Sequence, residues 1–514
     1  MRKIKIYTYR MLLGLGLLTA CDSGFDELNT SKTRAIALNP LFELNNAIVR
    51  TSFPGNTLVY EEAIVQQMVT PNSGVLTGGN FNQDNRPVTQ GMWQRYYREV
   101  IKHTVDVIEK TKEDPSRTNL YHMARIWQAY AMMLLTDSYG DVPYAEAGLG
   151  YLEATVSPKY TAQQDIYTSI LGELEEASAG LSAGAPIEAG DVMYSGRVDR
   201  WKRLGYSLML RAAMRLTKVD PGTAQAYVAK AVAGGLMTSN DDNAVVRHTS
   251  LYTSDIGNTL TGSEASNYYL AAPFLNFLKD NNDPRLAAIA VRYVGAGSGA
   301  EQKPGDATTP SNGNTSPAVQ IGMPMGYDNG TITPVVQSLG LKSFYDFSQL
   351  DRTRMGRRDA PIFLVTYAQT QLLLAEAVTR GWTPGDAAAL YAGGIRAHME
   401  QLKQYGANTT LAPADIEAYV AASPLDPARA LEQINTQYWV ASFLNGPEAF
   451  ANFRRSGFPA LPPNPYPGKG ISGQFIRRLT YPDSEKSVNS GSIQEAIGRQ
   501  GADDLDTRVW WDKQ

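Results

Sequence analysis

Cysteine is nearly absent from this chain. Its 514 residues include one, Cys21, and only four histidines, so a disulfide has no second half and a Cys/His zinc site has too few ligands. Beyond the first twenty residues no apolar run approaches the roughly 18 residues of a membrane-spanning helix. Neither sign of charge dominates: 47 Lys and Arg stand against 51 Asp and Glu, a formal charge of -4. Without a basic footprint, nucleic acid is not expected as a partner. Short catalytic and cofactor signatures are missing as well, since HExxH, CxxC and GxxxxGK do not occur. With 43% hydrophobic and 19% charged residues the chain is neither disordered nor fibrous.

What is present begins with a leader. Arg2, Lys3, Lys5 and Arg10 precede the uncharged run Met11–Ala20, MLLGLGLLTA, the basic and apolar parts of a signal peptide. Such a run spans roughly 15 Å as a helix, half a bilayer core, and is too short to anchor. Cys21 follows Leu18-Thr19-Ala20, a pattern similar to a bacterial lipobox, in which the signal is cut before the cysteine and the new N-terminus is acylated. Two or more acyl chains hold a protein stably where one is marginal. The expected division is therefore a signal peptide over 1–20, a lipidated Cys21 with a polar tether over 21–32, and one domain over 33–514, attached to the membrane only through its lipid.

Helical periodicity dominates that domain. Apolar residues at Trp93, Tyr96, Tyr97, Val100, Ile101, Val105 and Ile108, then at Leu120, Met123, Trp127, Tyr130 and Leu134, mark two amphipathic helices separated by EDPSRT. A short connection makes such helices an antiparallel pair. Further pairs are predicted at 162–180 with 199–217, at 366–380 with 386–404, and at 413–422 with 427–444, with a shorter helix over 222–235. The fold class is mainly α, a TPR-like stack of about four helix pairs. Two stretches near 238–262 and 295–348 are rich in Gly, Ser, Thr, Asn and Pro and read as long loops, a common seat of function. The tail from Pro459 is irregular, and its Trp510-Trp511 pair is expected to be pinned to the body.

Other motifs have plain structural readings. Gly295-Ala296-Gly297-Ser298-Gly299 lacks the dinucleotide spacing and reads as a flexible loop. His103, His122, His248 and His398 are scattered. Asp137, Asp141, Glu146, Asp503, Asp504 and Asp506 form acidic groups of the kind from which a glycosidase draws its carboxylate pair, but each fits a cap, a turn or an arginine partner. Asn240-Asp241-Asp242-Asn243 lacks the glycine and distal glutamate of a calcium loop and reads as a turn. No metal or cofactor is expected.

Five segments together resemble the SusD/RagB family, the surface nutrient-binding lipoproteins of Bacteroidetes, and its SusD-like branch in particular. They are Ala124–Ala147, Tyr194–Asp220, Tyr367–Trp382, Ile434–Leu461 and Arg477–Trp511, in family order behind the lipobox. The resemblance implies four TPR-like helix pairs with a loop-rich face, an outer-membrane location at the cell surface, and a partner, a SusC-like TonB-dependent barrel on which the lipoprotein sits as a lid. It implies a non-catalytic protein that captures oligosaccharide, with a peptide-binding lid and a surface glycoside hydrolase as the alternatives. In the shared segments, Gly140 and Pro143 fit a turn flanked by packed Tyr139 and Tyr144. Trp439, Phe443 and Phe450 fit the core, and Arg454-Arg455 fit ion pairs or carbonyl caps.

The family's ligand residues lie in variable loops, so candidates come from chemistry alone. Sugars need flat apolar faces against their C–H surfaces and planar polar groups against their hydroxyls, and loop aromatics also suit peptide. The candidates are Asn80, Phe81, Asn82 and Arg86 in GGNFNQDNRP, then Tyr252, Tyr327, Phe344 and Tyr345. Trp93 opens a helix and is expected in the core.

Overall fold

Proline and short polar caps set the helix starts. The Asn39 side chain accepts a hydrogen bond from the Leu41 N–H just before Pro40 begins α1, Pro40–Arg50. The same device opens α7, Pro221–Gly234, where Asp220 caps Thr223. In α9, Tyr367–Thr379, Thr366 and Gln369 satisfy each other's backbone in a capping box. The structure, a computed structural model, describes residues 38–72, 76–305 and 310–513. The expected signal peptide, Cys21 and tether lie outside the described residues.

The helix from Arg86 runs as α2, Arg86–Arg95, through a wide turn at Tyr96–Ile101 into α3, Lys102–Thr111. Its buried stripe includes Met92, Trp93, Tyr96, Val100, Ile101, Thr104, Val105 and Val107, with Tyr97 and Ile108 partly buried against the same core. The other long helices are α4 Thr118–Tyr139, α5 Gln163–Gly180, α6 Val198–Arg215, α8 Ala272–Asp280, α10 Ala387–Gln401, α11 Pro413–Ala422, α12 Ala430–Ala441, α13 Gly446–Ser456 and α14 Ser490–Gln500. Strands are short. Among the described residues they form four antiparallel pairs: Met68–Val69 with Tyr269–Leu270, Val142–Pro143 with Tyr160–Thr161, Ala244–Val246 with Ile362–Val365, and Ala290–Val291 with Gln349–Leu350.

Three of the expected helix pairs form, α3 with α4, α5 with α6, and α9 with α10. The fourth takes other partners: α11 lies against α10, while α12 packs on α9 and α13. Burial explains the exchange. α11 buries only Ile416 and Tyr419, and it meets α12 through the Gln437 amide, which donates to the Tyr419 hydroxyl at 3.1 Å. α12 is buried from Ile434 through Ala441 and needs neighbours on several sides. α4 is the same kind of helix, buried without a break from Ala129 to Tyr139. It ends at Gly140, whose φ of +81° suits glycine and whose backbone leaves no room for a Cβ beside the Gln500 amide oxygen.

One large apolar cluster extends from Leu41 to Trp511. Ion pairs thread it. The Glu448 carboxylate accepts from Arg215 and from the Tyr438 hydroxyl, both at 2.6 Å, with Arg211 at 3.3 Å. Arg215 also reaches Asp137, which accepts from the Trp511 indole at 2.9 Å and from Tyr167. That indole bond, with the Arg454 guanidinium over the ring, pins the end of the chain as expected. Arg455 pairs with Glu376, and Arg454 caps the carbonyls of Asp137 and Arg477. A second, smaller cluster sits apart under the loops: Ala63, Val69, Tyr269, Ala271, Met323, Met325, Ile332, Val336, Leu341, Phe344 and Phe347.

Candidate ligand-binding face

The loop-rich lobe is tied down at its base by the Met68–Val69 pairing with Tyr269–Leu270 and by a bridge between Ala271 and Met323. From that base a tight hairpin rises, closed by reciprocal backbone hydrogen bonds between Gly78 and Gln83 and turned at Asn82, which has a φ of +49°. Asn80 serves as its strut. Fully buried, it donates to the carbonyls of Thr70 and Tyr327, both at 2.9 Å, and accepts from the Gly326 N–H at 2.8 Å. The loop after α13 lies along the same hairpin. Asn464 donates to the carbonyls of Gly79 and Asn80, and the Gly470 N–H donates to the carbonyl of Asn82.

These ties bring Phe81 and Tyr466 together as a face-to-face pair, ring centroids 3.8 Å apart and planes within 2°. Phe81 is buried and Tyr466 half-buried, and the Tyr466 hydroxyl makes no hydrogen bond among the described residues. Beside them the buried side-chain N–H groups of Asn82 also have no partner among the described residues. A buried donor of this kind costs free energy unless water or a ligand satisfies it. A second aromatic pair, Phe344 and Tyr345, stands 4.0 Å apart on the same small cluster as Tyr327. Gln302 fixes it by donating to the Tyr345 carbonyl at 2.8 Å and to the Tyr269 hydroxyl at 3.1 Å. Six of the eight candidates, Asn80, Phe81, Asn82, Tyr327, Phe344 and Tyr345, thus lie on one lobe.

Arg86 and Tyr252 do not join them. Arg86 donates to Asp503 at 2.7 Å and to the Tyr481 carbonyl at 2.8 Å, with Asp84 at 3.2 Å from its Nε. Burial works against its charge, but Asp503, Asp84 and Asp483 outweigh burial and raise its pKa. Tyr252 donates to the Val49 carbonyl of α1 and lies beneath Arg50. Both side chains are spent on internal contacts that their local sequence does not announce. The residue missed by sequence reasoning is Tyr466. Its signal in the sequence is an aromatic among prolines in PPNPYP, within the irregular tail.

Most of the remaining flagged groups are engaged in structure, although the buried Nδ1 of His122 has no hydrogen-bond partner among the described residues. Asp141 accepts from the Gln163 N–H and Arg499, Asp503 from Arg478, Arg86 and Tyr481 N–H, Asp506 from Ser472 and Gly473, and Glu146 from Lys159. Asp504 caps Asp506 and Thr507. Asp242 accepts from Thr238 and Arg203 within a short turn. His248 is held between Ser52 and the Ala360 carbonyl, and His398 contacts Arg285. Trp93 is a core residue among Tyr97, Tyr139, Tyr160 and Tyr481. Among the described residues no helix is long and apolar enough to cross a membrane.

Known proteins resemble this arrangement over nearly its whole length. A solved structure described as a chitin-binding protein shares 31% identity and a TM-score of 0.81, covering 93% of this chain and 100% of its own. A SusD-like protein described as Bacteroidetes AC2a shares 27% identity at a TM-score of 0.80, with 93% and 100% covered. A chitin-binding SusD homologue from Flavobacterium johnsoniae has the same fold at 24% identity and a TM-score of 0.75, with 92% and 98% covered. No curated protein matches. The family model described as "Starch-binding associating with outer membrane" matches residues 29–482, and the chain belongs to this SusD-like family of outer-membrane carbohydrate-binding proteins.

Proposed function

We propose that this chain is a non-catalytic lipoprotein of the cell surface, acylated at Cys21, that captures oligosaccharides of N-acetylglucosamine and passes them to a SusC-like TonB-dependent transporter. The observation that carries the reading is the Phe81–Tyr466 stack, an aromatic pair set on a braced hairpin of the loop-rich lobe. Because Phe81 and the Asn464 tie already fix Tyr466, little side-chain entropy remains to be lost when a sugar ring stacks on it. The unsatisfied amide of Asn82 and the free hydroxyl of Tyr466 supply polar groups for acetamido and hydroxyl partners. Tyr327 and Tyr345, both half-buried, add aromatic side chains on the same lobe. The choice of N-acetylglucosamine rests on the relative at 31% identity that is described as chitin-binding.

The catalytic alternative loses ground on charge. A glycosidase needs two free carboxyl groups facing one another across a sugar, and the acidic residues singled out above are each taken up by arginines, caps or backbone N–H groups. A shallow open lobe of this kind binds on the order of µM to mM, about -4 to -8 kcal/mol, so retention depends on closure against the transporter. The test is calorimetric titration of the mature protein with chito-oligosaccharides of increasing length, with product analysis of the same samples. Saturable binding without cleavage is expected, and cleaved product sinks the proposal.

A further inference from the structure

The two C-terminal tryptophans have different fates. Trp511 is fully buried and donates to Asp137, whereas Trp510 stays half-exposed, resting against Tyr167 and lining a cleft of about 440 Å³. The cleft lies where the end of the chain and α14 cross the start of α5. None of its lining residues belongs to the Phe81–Tyr466 or Phe344–Tyr345 groups.

Its polar lining is only half used. Arg499 gives Nε to Asp141 and Nη2 to the Tyr160 carbonyl, both at 2.9 Å, which leaves Nη1. Arg508 gives Nη1 to Asp512 at 2.7 Å, which leaves Nε and Nη2, and the exposed Lys513 ammonium makes no hydrogen bond among the described residues. Two buried acceptors on the same cleft also lack donors. They are the side-chain oxygen of Gln163 and the second oxygen of Asp512, each on a residue 1% exposed. Arg477 approaches that Asp512 oxygen only as an ion pair at 3.6 Å. Three cations, Arg499, Arg508 and Lys513, face two carboxylates, Asp141 and Asp512, so the cleft carries an excess of one positive charge.

A half-exposed indole face, unspent guanidinium edges and orphaned acceptors together describe a site for a ring that has C–H faces, donating hydroxyls and a negative group. We infer that this cleft is a second saccharide site, and that it takes a sugar bearing a carboxylate, a uronic acid unit. The carboxylate would lie against Arg508 and Lys513, the ring against Trp510, and its hydroxyls would donate to Gln163 and Asp512. The inference deepens the saccharide-binding reading and rests on it for ligand class, but on different residues.

The test is calorimetry on the mature protein with tri-galacturonate, galactotriose and the N-acetylglucosamine trimer as probes, using R508Q, W510A and Y466A. R508Q alters a partly exposed side chain and leaves Asp512 paired with Arg477, so it remains informative even if W510A folds poorly. Tri-galacturonate is expected to bind the wild type, to bind at least about tenfold more weakly to R508Q and W510A, and to be unchanged in Y466A. Its affinity is expected to fall severalfold between low and high salt. Absence of tri-galacturonate binding, loss in Y466A but not R508Q, or equal affinity for galactotriose would overturn the inference. Binding of the N-acetylglucosamine trimer without tri-galacturonate would defeat this site alone. The reverse result would defeat the hairpin site and leave this one standing.

Discussion

Replacing Glu376 by glutamine should cost about 3 kcal/mol of folding stability at neutral pH, with a pH signature of its own. Glu376 in α9 is fully buried and receives both outer nitrogens of Arg455 at 2.7 Å, Arg380 at 2.8 Å, and the Asn435 amide at 3.0 Å. Burial alone would push its carboxyl up, but Arg455 and Arg380 outweigh burial and hold it at about 2 rather than 4.5. That difference corresponds to about 3 kcal/mol in favour of the ionised form in the fold. Removing one member of a buried pair costs about 3–5 kcal/mol by itself, so the two magnitudes agree. The folded value lies below the unfolded one. The stabilisation is therefore complete above pH 4.5 and fades as pH falls through 2. Urea unfolding of wild type and E376Q is expected to show the full gap at pH 7 and about half of it at pH 3. A cost below about 1 kcal/mol at pH 7, or a gap equal at both pH values, would refute the reasoning. The pair matters to the site because Arg455 belongs to α13, and the loop that leaves α13 through the left-handed Gly457 carries Tyr466.

Glu61 should behave in the opposite sense. Burial pushes its carboxyl up to about 8 from 4.5, so stability is fully present below 4.5 and is lost as pH rises through 8; E61Q is expected to flatten that loss between pH 5 and pH 8.5, and an unchanged slope in urea titrations would contradict it. Y466A should weaken chito-oligosaccharide binding about tenfold, about 1.4 kcal/mol, while leaving the melting temperature near that of the wild type. Unaltered affinity would remove the stack from the site. C21A is expected to move the protein from the membrane fraction to the soluble one, and retention of the variant in the membrane fraction would show that something other than acylation anchors it.

Much of the scaffold was legible because burial writes itself as a 3.6-residue stripe, and because prolines at 221 and 413 mark helix starts. Which helix faces which was less so. The partner exchange of α11 and α12 depends on how many sides of each are buried, and a single stripe does not reveal that. The charged core was hidden for a similar reason. Arg211, Arg215, Glu376 and Glu448 are buried charges whose partners come from distant segments, so their local sequence gives no sign of burial. At the candidate face, Phe81 could be selected as a loop aromatic, but its partner Tyr466 lies in another loop. Arg86 looked available because Asp503, which holds it, is equally far along the chain.

In the proposed function, the Phe81–Tyr466 hairpin is a sugar-binding surface without catalytic chemistry. Titrating the mature protein with N-acetylglucosamine oligomers in a calorimeter, and then analysing the recovered sugar, tests it directly. Saturable binding in the µM to mM range, weakened in Y466A and with the oligomer recovered intact, is the predicted result. Shortened oligomers, or no heat with any chain length, would contradict it.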